Sequence, residues 1–121
     1  MANITAWLVG NNAPSASERA VLAWRRIQDK PTSITIKRDS ITLPAQTVRI
    51  EYSESERLVM GEANGASAVR DVVVFGIKTH PTLANTDLKY GDMFAFDGAI
   101  FRVVMTISTI GEIQAKAEAI R

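Results

Sequence analysis

The dipeptide Asp97-Gly98, set between two apolar runs, constrains this chain more than any other feature. Met93 to Phe96 precede it and Ala99 to Ile107 follow it. A two-residue type I′ turn needs positive φ at both positions, and Asp-Gly supplies it, so the spacing predicts a β-hairpin. The turn also sets the register. Phe94 falls opposite Phe101, and Phe94, Phe96, Phe101, Val103, Met105 and Ile107 share one face. An aromatic cross-strand pair contributes up to ~1 kcal/mol, enough to hold that register.

Most of the remaining chain follows the same period of two. Ile34 and Ile36 alternate with Thr35 and Lys37, and Val48, Ile50 and Tyr52 alternate with Thr47, Arg49 and Glu51, as half-buried strands do. Arg38, Asp39 and Ser40 form a turn signal, and Ile41 to Leu43 read as a short strand stopped by Pro44. The run Val72-Val73-Val74-Phe75-Gly76-Ile77 is continuously apolar and β-branched, the pattern of a strand covered on both sides. At the C-terminus Ile113, Ala115, Ala117 and Ala119 alternate with polar residues. A helical stripe of Ile113, Ala117 and Ile120 is the competing reading of 112–120; a strand after the Gly111 turn is preferred, because it extends the preceding hairpin.

One helix is expected. Ser15 and Glu18 have the capping-box spacing that satisfies free amides at a helix start. Val21, Trp24 and Ile27, with Ala20 and Ala23 beside them, form its apolar stripe, and Pro31 disfavours helical geometry at Lys30 and ends it. The expectation is a mainly β fold, a small β-barrel or sandwich with one N-terminal α-helix and long loops. It forms a single domain over 1–121: an N-terminal arm (1–14), the helix (15–30) and the barrel (31–121). Two long connections interrupt the barrel, Ser53 to Asp71 and Thr79 to Asp92, and connections of that length are usually functional or disordered. At or near the start of the first are Glu51, Glu54, Glu56 and Glu62 against Arg57 alone until Arg70, a local charge of about −3. Its Asn64-Gly65 step leaves open a long hairpin arm in place of a loop.

Composition excludes more than it names. Fourteen basic and thirteen acidic side chains leave a net charge of +1, so no global field holds a nucleic-acid backbone or an anionic membrane. The chain has no cysteine, which removes disulfides, thiolate metal sites and a cysteine nucleophile, and its single histidine removes most general-base schemes. No glycine array suits a phosphate and no Gly-x-Ser-x-Gly elbow is present. No signal peptide or membrane span is read, so the chain is expected to be soluble and cytoplasmic. His80, beside Pro81 and near Asp87 and Asp92, suggests at most a one-histidine metal site, and a solvated loop histidine is the plainer reading. Arg25, Arg26, Lys30, Lys37 and Arg38 could form a phosphate-facing patch, but the interleaved Glu18, Asp29 and Asp39 favour a mixed solvated face. Trp24 suits packing or an interface, and Trp7 with Leu8, in the terminal arm, suits an interface as well as a core. No catalytic residue, metal ligand or cofactor site is assigned, and the expectation is not an enzyme but an assembly protein.

A longer pattern carries a resemblance. Asp71-Val72-Val73-Val74-Phe75-Gly76, His80-Pro81, Thr86-Asp87-Leu88, Gly91-Asp92-Met93-Phe94, Asp97-Gly98, Phe101-Arg102-Val103-Val104, Gly111-Glu112-Ile113-Gln114-Ala115 and Ala117-Glu118 follow one another in that order. Over roughly residues 70–120 this resembles the small head-tail connector proteins of tailed bacteriophages, the head-completion or stopper proteins. The resemblance implies a small β-barrel assembled as a homo-oligomeric ring of roughly 12 or 6 copies. The ring would sit in the virion neck beneath the portal and adaptor rings, present a surface to the tail terminator or tail tube, and close the exit channel after packaging. DNA would pass through the lumen without sequence-specific binding, and no membrane would be involved. By length and position, 53–71 would face the channel, with Glu54, Glu56, Arg57, Glu62, Asn64 and Gly65 as candidate residues. Trp7, Leu8, Trp24, Arg25 and Arg26 are candidate ring or neighbour contacts. The alternatives are a tail terminator or other neck ring and, from another class, a small monomeric β-barrel binding module. A hydrolase using His80 comes third.

Overall fold

The computed structural model describes residues 15–61 and 65–120, and of 54–61 and 65–69 it describes the backbone alone. The fold is mainly β, with one helix near the N-terminus and a single eight-stranded sheet curled into a half-barrel.

Helix α1 (Ala16–Asp29) begins at the expected capping box: Glu18 N donates to Ser15 Oγ at 3.2 Å, and Ser15 N donates to Glu18 Oε1 at 3.3 Å. Its buried residues are Ala20, Ala23 and Ile27, while Val21 and Trp24 are half-buried. The stripe is thus rotated towards its alanines. A Cβ on Gly111 would lie 2.6 Å from Ala20 N, so the turn at Gly111 meets the helix backbone directly and only small side chains fit between them.

Eight strands follow: β1 (Thr32–Ile34), β2 (Lys37–Arg38), β3 (Ile41–Thr42), β4 (Gln46–Gly61), β5 (Gly65–Ile77), β6 (Met93–Phe96), β7 (Ala99–Thr109) and β8 (Glu112–Ala119). Their order across the sheet is β1-β4-β5-β8-β7-β6-β2-β3. β1 is therefore at one edge and β2 next to the other, yet only Thr35 and Ile36 join them. So short a link reaches both ends of the sheet only if the sheet curls back on itself. The single strand expected over 34–37 is accordingly split in two. Ile34 and Ile36 are both buried, and the chain changes sheet edge between them.

The inside of the curl is the core. Val48 and Ile50 of β4, Val72 and Val74 of β5, Phe94 of β6, and Phe101 and Val103 of β7 point into it with Ile34, Ile36 and Leu88. β8 contributes Ile113, Ala115, Ala117 and Ala119, so 112–119 is a strand. Phe101 lies opposite Ala119 and Phe94, a small residue on one side making room for rings on the other. Phe94 and Phe101 stack with centroids 5.7 Å apart, in the register that Asp97-Gly98 dictates. On the outside, α1 packs on Ile77 through Ala23 and Ile27, with Trp24 at the margin.

Two expectations are corrected. Met105 and Ile107 do not share the inner face: the pairing steps from Val103↔Ala117 to Met105↔Lys116, leaving Val104 as an additional residue. A one-residue bulge sends every following side chain to the other face, and Met105 and Ile107 are 48% and 50% exposed. The segment 53–71 is not a loop. β4 and β5 continue through it as a paired ribbon, the hairpin-arm alternative. A paired two-stranded ribbon satisfies its backbone through its own ladder whatever its side-chain pattern, so it requires no alternation that could be read.

Candidate assembly surfaces

The ribbon is built in two parts. From Arg49↔Phe75 to Tyr52↔Val72 its strands are also flanked by the sheet, β5 pairing with β8 up to Val72↔Ala117. Then Ser53, Glu54 and Ser55 face Asp71 alone before pairing resumes at Glu56↔Arg70 and runs to Gly61↔Gly65. Such a bulge bends the ribbon. The six pairs beyond it extend about 20 Å, and among the described residues these strands pair only with each other.

Side chains from three elements secure the bend. The Tyr52 hydroxyl donates to Asp97 Oδ2 in the β6–β7 turn, and its ring packs on Phe96 at 5.9 Å between centroids. The Asp97 carboxylate, with partial burial, raises the Tyr52 pKa above the ordinary tyrosine value. The Arg70 guanidinium lies 5.8 Å from the Tyr52 ring centroid, and Arg70 Nε donates to Ser53 O at 2.9 Å, satisfying a carbonyl that the bulge exposes. Asp71 is buried and accepts from Ala119 N at 3.2 Å, so a side chain closes the end of β8 where its pairing with β5 stops.

A second cluster pins the connection 79–92. Arg38 Nε and Nη2 each donate to Asp92 at 2.8 Å, and Nη2 also donates to Asp87 Oδ1 at 2.8 Å. Asp92, 1% exposed, also accepts from Lys89 N at 2.8 Å. The two carboxylates hold the Arg38 guanidinium firmly protonated, and Arg38 in turn draws the Asp87 pKa below the ordinary carboxylate value. Gln46 grips the Asp87 backbone from both sides, Nε2 donating to its carbonyl at 3.1 Å and Oε1 accepting from its amide at 2.7 Å. Arg38 is therefore not part of a solvated face. The sequence carries no local sign of these partners, which lie 54 and 49 residues away.

These contacts separate His80 from Asp87 and Asp92. His80 Nδ1 accepts from the amides of Thr82 and Leu83, each at 3.1 Å, which closes a turn within its own loop. Among the described residues no group of three or more histidines or carboxylates is placed to hold a metal. Nor is any described helix long and apolar enough to cross a membrane.

The candidate contacts on α1 diverge, since successive helical residues do not share a face. Trp24 turns towards Ile77, Leu83 and Thr86. Arg26 Nη2 pairs with Glu112 Oε2 at 2.6 Å, and its carbonyl accepts from Arg49 Nη1 at 3.0 Å, tying α1 to β4 and β8. Arg25 is exposed. Trp7, Leu8, Glu62 and Asn64 lie outside the described residues. Glu54, Glu56, Arg57 and Gly65 lie on the ribbon backbone, and their side chains are outside the description.

Sequence reasoning missed the free outer edge of β7. β6 covers β7 up to Met93↔Arg102, and Val103 bonds Gly91 and Asp92, but among the described residues no strand pairs with the outer edge of Met105–Thr109. The edge is free because β6, four residues long, is much shorter than β7, and the bulge turns Met105 and Ile107 outward beside it. No protein-family model matches the chain, and no curated protein matches it either.

Proposed function

We propose that this protein is a structural subunit of the neck of a tailed bacteriophage, a head-completion or stopper protein that assembles into a ring around the DNA exit channel. The observation that carries the reading is the β4–β5 arm. A two-stranded ribbon is marginal in water by itself, so one that extends about 20 Å past its sheet is best accounted for by surroundings it meets on assembly. The arm carries Glu54, Glu56 and Glu62 against Arg57, and that sign suits a surface past which a phosphate backbone must slide without sticking.

The free edge of β7 supports a ring. An arm on one side of a subunit and an apolar, unpaired strand edge on another are different patches. Contacts between unlike patches repeat head to tail and close into a ring when the rotation allows. Met105 and Ile107 supply the apolar contact at that edge. In this reading no side chain is catalytic, and the resemblance over residues 70–120 supplies the place in the particle.

The test is retention of the intact protein on portal-containing, DNA-filled capsids and on assembled tails, followed by electron microscopy. An axial ring on filled heads supports the connector. Retention on tails alone makes the protein a tail terminator, and retention on neither overturns the reading. Particles whose subunits lack Glu54 to Ser67, yet join tails and hold DNA normally, would remove the channel-facing role of the arm.

A further inference from the structure

The outer edge of β7 from Met105 to Thr109 is a row of backbone groups that no strand pairs among the described residues. Exposed edges are ordinarily guarded by a charge, a proline, a bulge or cover from another element. Met105-Thr106-Ile107-Ser108-Thr109 has neither charge nor proline, and every one of its side chains is exposed. The bulge at Val104 lies before this stretch, and pairing with β8 is regular from Met105↔Lys116 to Thr109↔Glu112. Its threonines and isoleucine favour extended pairing. The chemistry of the edge therefore selects its occupant: a second extended strand, about 17 Å long and uncharged where it meets Met105 and Ile107.

The arm offers such a strand. β8 occupies one side of β5 from Val72 to Ile77, and over Gly65–Val69 no strand pairs with that side among the described residues. Gly65-Ala66-Ser67-Ala68-Val69 is uncharged and matches the β7 edge in length. The arm's other strand carries Glu54, Glu56 and Arg57, charges that pairing with an apolar edge would desolvate. The register fixes which copy supplies the strand. Tyr52, Val72, Ala117 and Val103 form one row across β4, β5, β8 and β7. The arm leaves the sheet on one side of this row, and Met105–Thr109, opposite Lys116 to Glu112, lie on the other, with β8 between β5 and β7. The arm thus points away from the open edge of its own chain.

We propose that Gly65–Val69 of the arm adds as a strand to the Met105–Thr109 edge of a second copy. One arm and one edge per chain make the contact head to tail, so it repeats from copy to copy. The pairing extends the sheet of one copy into the next and leaves the strand with Glu54 and Glu56 on the open side of the arm. It rests on the ring proposed above and gives that ring its contact, but it does not require the ring to sit in a phage particle.

The chain has no cysteine, so introduced pairs report the contact directly. Ala66→Cys, Ser67→Cys and Ala68→Cys proteins are each mixed with Thr106→Cys, Ile107→Cys and Ser108→Cys proteins and oxidised, in concentrated solution and on DNA-filled capsids. The set spans the registers that bring two Cα atoms within the roughly 7 Å a disulfide allows. The expected result is a crosslinked dimer in at least one mixture and in neither protein alone, and a ladder of larger species in the chain carrying both substitutions. Met105→Lys, a charge at an exposed position, should abolish the crosslink with unchanged far-UV circular dichroism, while Ile41→Lys on β3 leaves it intact. Absence of any mixed crosslink, or one that survives Met105→Lys, overturns the proposal. A dimer of the Ile107→Cys protein alone also overturns it and assigns the edge to the same edge of a second copy. An axial ring on filled heads without these crosslinks overturns the contact and keeps the connector; crosslinks in solution without retention on heads do the reverse.

Discussion

The Tyr52 hydroxyl donates to the Asp97 carboxylate, and this bond joins the last pair before the bend in the β4–β5 ribbon to the two-residue turn between β6 and β7. Residues 45 apart in sequence thereby couple the direction of the arm to the hairpin that packs Phe94 and Phe101.

Tyr52 should ionise at a higher pH in the native protein than in an Asp97→Asn variant, which keeps a turn-compatible residue and removes the charge. The folded pKa is raised, so the stabilisation is complete below the unfolded value of about 10 and is lost as pH rises through the folded one. Ultraviolet titration of the phenolate, with Tyr52→Phe as the assignment control, measures the difference. Equal titration of the two proteins would show that the bond does not form in solution.

Breaking the Arg38 cluster should depend strongly on which partner is removed. Arg38→Met leaves the buried Asp92 carboxylate without its cation and should cost about 3–5 kcal/mol in urea unfolding. Asp87→Asn should cost less than about 1 kcal/mol, because that side chain is half exposed. The Asp87 pKa is lowered by Arg38, so its contribution is complete above the unfolded value of about 4 and disappears as pH falls through the folded one. The Asp87→Asn protein should therefore lose less stability than the native protein over that acid range.

Gly98 and Gly111 both have φ of +79°, yet alanine should be tolerated differently at the two positions. Nothing lies within 4 Å of a Cβ on Gly98, so only the backbone cost of about 1–2 kcal/mol applies. A Cβ on Gly111 meets Ala20 N at 2.6 Å and the Arg19 carbonyl carbon at 2.8 Å, which adds overpacking of about 1–3 kcal/mol. Thermal denaturation should rank Gly111→Ala clearly below Gly98→Ala, and equal midpoints would contradict the helix–turn contact.

The arm should be dispensable for folding. Replacing 57–69 by Asn-Gly between the paired Glu56 and Arg70 should change stability by less than about 1 kcal/mol, because the strands removed pair only with each other among the described residues. In the full chain, amides of 57–61 and 65–69 should exchange faster than those of 72–77, which have strands on both sides. Unfolding of the shortened chain would make the arm part of the core structure.

The parts of this fold legible in the sequence are those whose cause lies within a few residues. Ser15 and Glu18 close a capping box, Asp97-Gly98 turns a hairpin and aligns its two phenylalanines, and the alternation from Ile113 to Ala119 makes a strand. Each follows from local backbone geometry or from the period of one face. The break between Ile34 and Ile36, the bulge at Val104, the bend at Ser53–Ser55 and the capture of Arg38 by Asp87 and Asp92 have no such local cause. They arise because a sheet that curls into a half-barrel must change strand partners, shift register and bring together charges from distant residues. Hydrophobic pattern specifies which face of a strand is dry. The curl of the sheet decides where that pattern is interrupted, between Ile34 and Ile36 and at Val104.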